Sequence, residues 1–222
     1  MNSSRVIDPR LYLLIDPQQC RLDTPAAVAA AAIRGGATLV QLRDKTASTK
    51  DLLATALALR EALDGAAPLL INDRIDIVLA ANADGVHIGQ DDMPPAKARE
   101  LLGPEAIIGL TVRSLEEAQN APLEVIDYLS IGGVFATTSK DNPNAAIGLA
   151  GLGRIAIWLR EHCKLPLCAI SGIDHDNAAA VIRRGVDGIA VISAICADAE
   201  PGRAARELRA IVDTALKQRT NP

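Results

Sequence analysis

The sequence predicts a single-domain (β/α)8 barrel over residues 1–222, with its core at about 11–218. Three observations carry this. Short apolar runs at 68–71 and 85–88 each give way abruptly to polar residues, Asn72-Asp73 and Gln90-Asp91-Asp92, as buried parallel strands do. Between them, RIDIVLAANA places Ile75, Val78 and Leu79 at helical spacing, which makes one strand-helix-strand crossover. Units of this kind repeat evenly along the chain, and no Gly-x-Gly-x-x-Gly follows any strand, which disfavours a doubly wound open sheet.

Composition narrows the partners. With 222 residues, 49% hydrophobic and 23% charged, the chain can bury one substantial core. A net charge of −4 and no run of Lys and Arg on one face argue against nucleic acid or an anionic membrane, so any basic site must be local. No apolar run approaches the ~20 residues of a membrane helix, and the start MNSSRVIDPR lacks the apolar core of a signal peptide, so the cytoplasm is the expected compartment. Cys20, Cys163, Cys168 and Cys196 show no metal or disulfide spacing and are expected to be buried thiols. With only Tyr12, Tyr128, Phe135 and Trp158 available, a ring-shaped ligand must be held by aliphatic and polar contacts. A homo-oligomer is compatible with the sequence.

In chain order, the first strand is LYLLI at 11–15, followed by a helix over 25–34 that stops at Gly35-Gly36. The second strand, TLVQLR at 38–43, puts Gln41 and Arg43 on the face opposite Val40 and Leu42. Because the helix-facing side must be apolar, Gln41 and Arg43 point inward, with Lys45 just beyond on the same parity. A helix over 49–63 leads to the crossover already described, in which His87 points inward and is expected to be a satisfied structural residue. After a helix over 94–102 come a strand at 106–110 ending in Thr111, Val112 and Arg113, a short helix over 115–121, and a strand at 128–132. The long connection from 133 to 144, rich in Gly, Thr, Ser and Asn, reads as a lid. Thr137, Ser139 and Lys140 on it suit a phosphate-bearing ligand. A helix over 152–162, in which Trp158 packs, strands at 166–170 and 188–192, and a closing helix over 202–217 complete the barrel.

The strand ends hold the candidate site. Consecutive parallel strands lie about 4.8 Å apart, so Asp73 and Asp92 leave the sheet on one edge within reach of a common ligand, with Asn72 and Gln90 alongside. Two facing carboxylates suit a hard cation such as Mg²⁺. Asp is also a common helix cap or turn residue, and that reading stays open for either position. At the ends of strands seven and eight, where barrels often bind phosphate through backbone N–H groups, stand Ser171-Gly172-Ile173 and Ile192-Ser193.

Several motifs in this order resemble the thiamine phosphate synthase family over nearly the whole chain: LYLLID, QLRDK, IND, GVHIGQDD, GVFATTSK, SGI and GIAVISAI. The resemblance implies a transferase. It joins a hydroxymethylpyrimidine diphosphate to a thiazole phosphate with Mg²⁺ assistance, releasing diphosphate. It also implies roles: Arg43, Lys45, Asn72 and Lys140 contact the diphosphate, Asp73 and Asp92 hold Mg²⁺, and Gln41 contacts the pyrimidine. Thr137, Ser139, Gly172, Ile192 and Ser193 cradle the thiazole phosphate, and Thr111 stands near the pyrimidine where the family usually has Ser. Arg43, Lys45 and Lys140 are the groups expected to neutralise the leaving group in catalysis.

Departures are visible. The family commonly has Pro where this chain has Gly133 and Ala136, and a second Gly where it has Ser171. The missing prolines are expected to loosen the loop, and Ser171 to narrow the phosphate site or add a hydroxyl donor. Two alternatives share the barrel: a thiazole tautomerase-like paralogue and a non-catalytic binder of thiamine precursors. The first resembles GLTVRS with a His in it, where this chain has Arg113.

Overall fold

Eight parallel strands close on themselves in sequence order in the computed structural model, which describes residues 7–20, 24–137 and 145–220. The strands are β1 (Leu11–Ile15), β2 (Leu39–Leu42), β3 (Leu69–Asn72), β4 (Gly85–Ile88), β5 (Ile107–Val112), β6 (Tyr128–Ile131), β7 (Leu167–Ile170) and β8 (Gly188–Val191). Closure comes from β1 pairing with β8, Leu11 opposite Ile189. The expected (β/α)8 barrel is therefore observed, with its strands buried along almost their whole length.

Around the sheet lie α1 (Pro25–Arg34), α2 (Thr49–Leu63), α3 (Ile75–Ala81), α4 (Pro95–Leu102), α5 (Leu115–Gln119), α6 (Gly148–His162), α7 (Ala178–Ile182), α8 (Ser193–Cys196) and α9 (Pro201–Thr220). Thr24, Ser48 and Ser114 start α1, α2 and α5 by accepting the N–H of Ala27, Asp51 and Glu117, which satisfies donors the helix itself leaves open. Asp64 and Asn82 end α2 and α3 in the left-handed conformation.

The N-terminal face is tied by a device used three times. Asp84, Asp127 and Asp187, each just before an even-numbered strand, accept the N–H of Leu69, Ile108 and Leu167 on the preceding odd strand at 2.9, 2.7 and 2.9 Å. Their own N–H groups donate back to the carbonyls of the same three residues. Arg99 closes on Asp127 at 2.7 Å and Arg160 on Asp187 at 2.5 Å. These ties hold the N-terminal face, while the opposite face carries the strand-to-helix loops.

Several boundaries differ from expectation. β5 runs on through Val112, so Thr111 lies inside a strand rather than after one. α6 begins at Gly148, four residues early, because Gly148, Gly151 and Gly153 mask its helical pattern. The short helices α7 and α8 span barely one turn and leave no periodic signature. Of the cysteines expected to be buried, Cys168 and Cys196 are, whereas Cys20 and Cys163 are only partly covered. Trp158 packs on the core's edge and stacks on His162, ring centroids 3.9 Å apart.

Candidate active site

At the C-terminal ends of the strands two cavities adjoin. One, of about 470 Å³, is lined by strand ends β1 to β6 and includes Gln41, Arg43, Lys45, Asn72, Asp73 and Asp92. The other, of about 500 Å³, lies over β7 and β8 and includes Thr137, Gly172, Ile192 and Ser193. Ile170 and Ser171 line both and form the shared wall. Strand order sorts the residues in this way: polar side chains from the first six strands face one hollow, while backbone-rich turns after β7 and β8 face the other.

The paired acids meet as the register requires. Asn72 lies opposite His87 on β4, and the Asp73 N–H donates to the His87 carbonyl at 2.9 Å. Asp73 then turns into the left-handed region, φ 62°, which aims its carboxylate across to Asp92. The two carboxyl groups are in hydrogen-bonding contact. Burial pushes the Asp73 carboxyl above its ordinary range, contact with Asp92 pushes it further, and Lys45, 3.0 Å away, opposes both. Asp92 is held by the Gly89 N–H at 2.8 Å. Neither residue caps a helix: α3 starts after Arg74 and α4 after Pro94, with no side-chain cap on either. Two acids pressed together, of which only Asp73 has a lysine partner among the described residues, fit a divalent cation held between them.

Arg43 points inward as its parity requires and pairs with Asp16 at 3.3 Å, both side chains mostly covered. Asp16, at the end of β1, holds a cavity-lining arginine and was not singled out from the sequence. The rule that picked Asp73 and Asp92, a carboxylate closing an apolar strand, applies equally to LYLLID. Burial raises the Asp16 carboxyl against the pull of the Gln18 N–H and Arg43. Gln41 is 1% exposed, with Nε2 on the Tyr12 hydroxyl. His87 is held at both ring nitrogens, 2.7 Å from the Tyr128 hydroxyl and 2.7 Å from the Thr111 hydroxyl, in keeping with a satisfied buried histidine. Tyr12 also lines this cavity, with the Tyr128 hydroxyl bonded behind it; no local sequence signal brings together residues 116 positions apart.

In the second cavity Gly172 sits at φ 62°, where a Cβ would lie 2.4 Å from the Ala136 carbonyl oxygen and 2.8 Å from Phe135 Cβ. Only glycine fits there. Ser171 also has positive φ, 97°, and its hydroxyl accepts the Gly133 N–H at 3.2 Å, which leaves its own proton available to donate. The Phe135 N–H donates to the Ser171 carbonyl at 3.0 Å, so the segment after β6 is stitched to the turn after β7 as far as Phe135. Ser139 and Lys140 lie outside the described residues.

Comparison with known proteins places this geometry. The model of the thiamine monophosphate synthase family matches residues 11–195. The thiamine-phosphate synthase of Chloroflexus aurantiacus is 47% identical over 213 residues, covering 96% of each chain. That of Agrobacterium fabrum is 45% identical over 215 residues, covering 96% of this chain and 98% of its own. Among solved structures, a thiamine phosphate pyrophosphorylase from Pyrococcus furiosus superposes with a TM-score of 0.82 at 39% identity, covering 95% of this chain and 98% of that one.

Proposed function

This chain belongs to the thiamine monophosphate synthase family, a family of transferases, and we propose that it joins an aminopyrimidine methyl diphosphate to a thiazole phosphate to form thiamine phosphate and diphosphate. The observation that carries the reading is the pair of adjoining cavities sharing the Ile170–Ser171 wall: one acidic and basic, the other lined by turn backbone. Two reactants held in neighbouring hollows meet at that wall, and holding them there removes the entropic cost of a bimolecular encounter.

The pyrimidine diphosphate would lie in the first cavity. Arg43, Lys45 and Asn72 contact its diphosphate, with Lys140 added from the loop, while Gln41 and Thr111 face the ring. Asp73 and Asp92 would hold Mg²⁺, which supplies charge neutralisation for the departing diphosphate. The carbon–oxygen bond breaks with its electron pair leaving on diphosphate. The electron-rich aminopyrimidine stabilises the resulting cation, so the protein needs only to hold and neutralise the leaving group. The thiazole nitrogen then donates its lone pair to that carbon, forming the carbon–nitrogen bond with no proton to remove. Thr137, Ser139, Gly172, Ile192 and Ser193 cradle the thiazole phosphate and aim the ring across the wall.

The tautomerase-like alternative gains no support at its distinguishing position. Arg113 stands there, its backbone N–H fixed by Glu117 at 2.6 Å, and the nearby His87 is tied at both nitrogens. Incubation with both substrates and Mg²⁺ tests the proposal. Diphosphate and thiamine phosphate are expected in equal amounts, and only when both substrates are present. Isomerisation of a thiazole carboxylate without any diphosphate substrate would replace this reading with the alternative.

A further inference from the structure

We propose that Tyr12, Tyr128 and His87 are positioning residues that fix which atom of Gln41 meets the pyrimidine: a buried hydrogen-bond chain presents the Gln41 carbonyl oxygen, and not its NH2, to the ligand. The proposal rests on the pyrimidine lying in the first cavity. The chain crosses five strands. The Gln41 Nε2 bonds the Tyr12 hydroxyl, which lies 2.8 Å from the Tyr128 hydroxyl. That hydroxyl lies 2.7 Å from His87 Nδ1, and His87 Nε2 lies 2.7 Å from Thr111 Oγ1. Gly109 makes room for the Tyr128 ring, since a Cβ there would come within 2.1 Å of it.

With the Gln41 amide nitrogen on Tyr12, the direction follows from counting donors. An amide nitrogen only donates, so Tyr12 accepts from Gln41 and gives its single proton to Tyr128. Tyr128 therefore donates to His87 Nδ1. An imidazole accepting at Nδ1 is neutral and carries its proton on Nε2, which donates to Thr111. Burial keeps both phenols protonated, as the chain requires. Gln41 Oε1 remains, buried and without a hydrogen-bond partner among the described residues. Such an acceptor suits an exocyclic amino group, whereas an oxo group at the same ring position would set two acceptors face to face. Turning the amide over would reverse every bond in the chain, with Nδ1 of His87 then carrying the proton. The tautomer of His87 and the face of Gln41 are thus one variable.

Tyr128→Phe removes the middle link and keeps the ring. Its loss leaves the Tyr12 proton without an acceptor, so Tyr12 donates to Gln41 Oε1 and the amide reverses. Nitrogen-15 NMR of the full chain without substrate reads the tautomer, with the signals of His162 and His175 assigned by substitution. Wild type should show His87 protonated at Nε2, and Tyr128→Phe a mixture of tautomers. In parallel, the ratio of Kd values for the aminopyrimidine diphosphate and its oxo counterpart should favour the amino form by about a hundredfold in wild type and fall by about tenfold or more in the variant. Tyr12→Phe should lose the same discrimination yet keep the Nε2 tautomer, because Tyr128 still donates to His87. An Nδ1-protonated His87 in wild type, an unchanged tautomer in Tyr128→Phe, or unchanged discrimination in both variants would overturn the proposal. The tautomer readout needs no substrate. Absence of thiamine phosphate formation would therefore sink the functional reading alone, and an Nδ1 tautomer this proposal alone.

Discussion

Replacing Asp73 by Asn separates what the paired acids do for function from what they do to stability. The backbone at Asp73 has φ 62°, a conformation Asn tolerates well among non-glycine residues, so the change adds no strain. The side chain is 22% exposed and touches Asp92. An amide there removes one of two crowded like charges and can donate to Asp92. What is lost is the 3.0 Å pair with Lys45, but that lysine is 55% exposed and such a pair is worth less than about 1 kcal/mol. Relief of the like-charge contact is of at least that size, giving a net change between about 0 and +1 kcal/mol and a rise in Tm of up to about 4 °C. Activity should move the other way. Losing a metal ligand at the leaving group should slow turnover about a hundredfold, or about 2.7 kcal/mol. Thermal unfolding without Mg²⁺ and diphosphate release at saturating Mg²⁺ measure the two effects. A Tm lowered by more than about 4 °C, or turnover within about tenfold of wild type, would refute the reasoning.

Gly172→Ala puts a Cβ 2.4 Å from the Ala136 carbonyl oxygen at positive φ, and should raise the KM for thiazole phosphate about tenfold or more while leaving that for the pyrimidine diphosphate within about twofold. Equal effects on both KM values in steady-state assays would contradict separate cavities. Ser171→Ala leaves the buried Gly133 N–H without its acceptor and should cost about 1–2 kcal/mol, lowering Tm by about 2–8 °C in a thermal melt, whereas an unchanged Tm would mean the bond stabilises nothing. At Asp8 burial works to raise the carboxyl, but the bidentate Arg10 contacts, 2.9 and 2.6 Å, prevail and hold it below its ordinary value. A carboxyl lowered in the folded state stabilises above its unfolded pKa and loses that stabilisation as pH falls through the folded value. The excess unfolding free energy of wild type over Asp8→Asn should therefore be full at neutral pH and shrink below about pH 4. Urea titrations across that range check it, and an excess that grows on acidification would be the wrong sign.

Much of the barrel was legible because its strands are buried on both sides: runs such as LLIN and GVHI end where the chemistry begins. The period of two settled the inward placement of Gln41, and consecutive strands settled the meeting of Asp73 with Asp92. Three things stayed hidden for physical reasons. Asp16 falls just after the first strand beside Pro17, and only the packing of Arg43 against it sets it apart from an ordinary turn residue. Tyr12 and Tyr128 were only counted among the few aromatic residues, since a hydroxyl–hydroxyl contact between β1 and β6 depends on the barrel's curvature and not on local pattern. Ser171 was read by the size and hydroxyl of its side chain, whereas its positive φ and its bond to Gly133 belong to backbone geometry that residue types do not announce.

The central claim is that the two reactants occupy separate cavities divided by Ile170 and Ser171. A crystal structure of the chain with thiamine phosphate, diphosphate and Mg²⁺ tests it most directly. The expected result is the phosphate of thiamine phosphate against Gly172 and Ser193, with diphosphate among Arg43, Lys45 and Asn72 and the metal between Asp73 and Asp92. Diphosphate seated against Gly172, or both products crowded into one cavity, would contradict it.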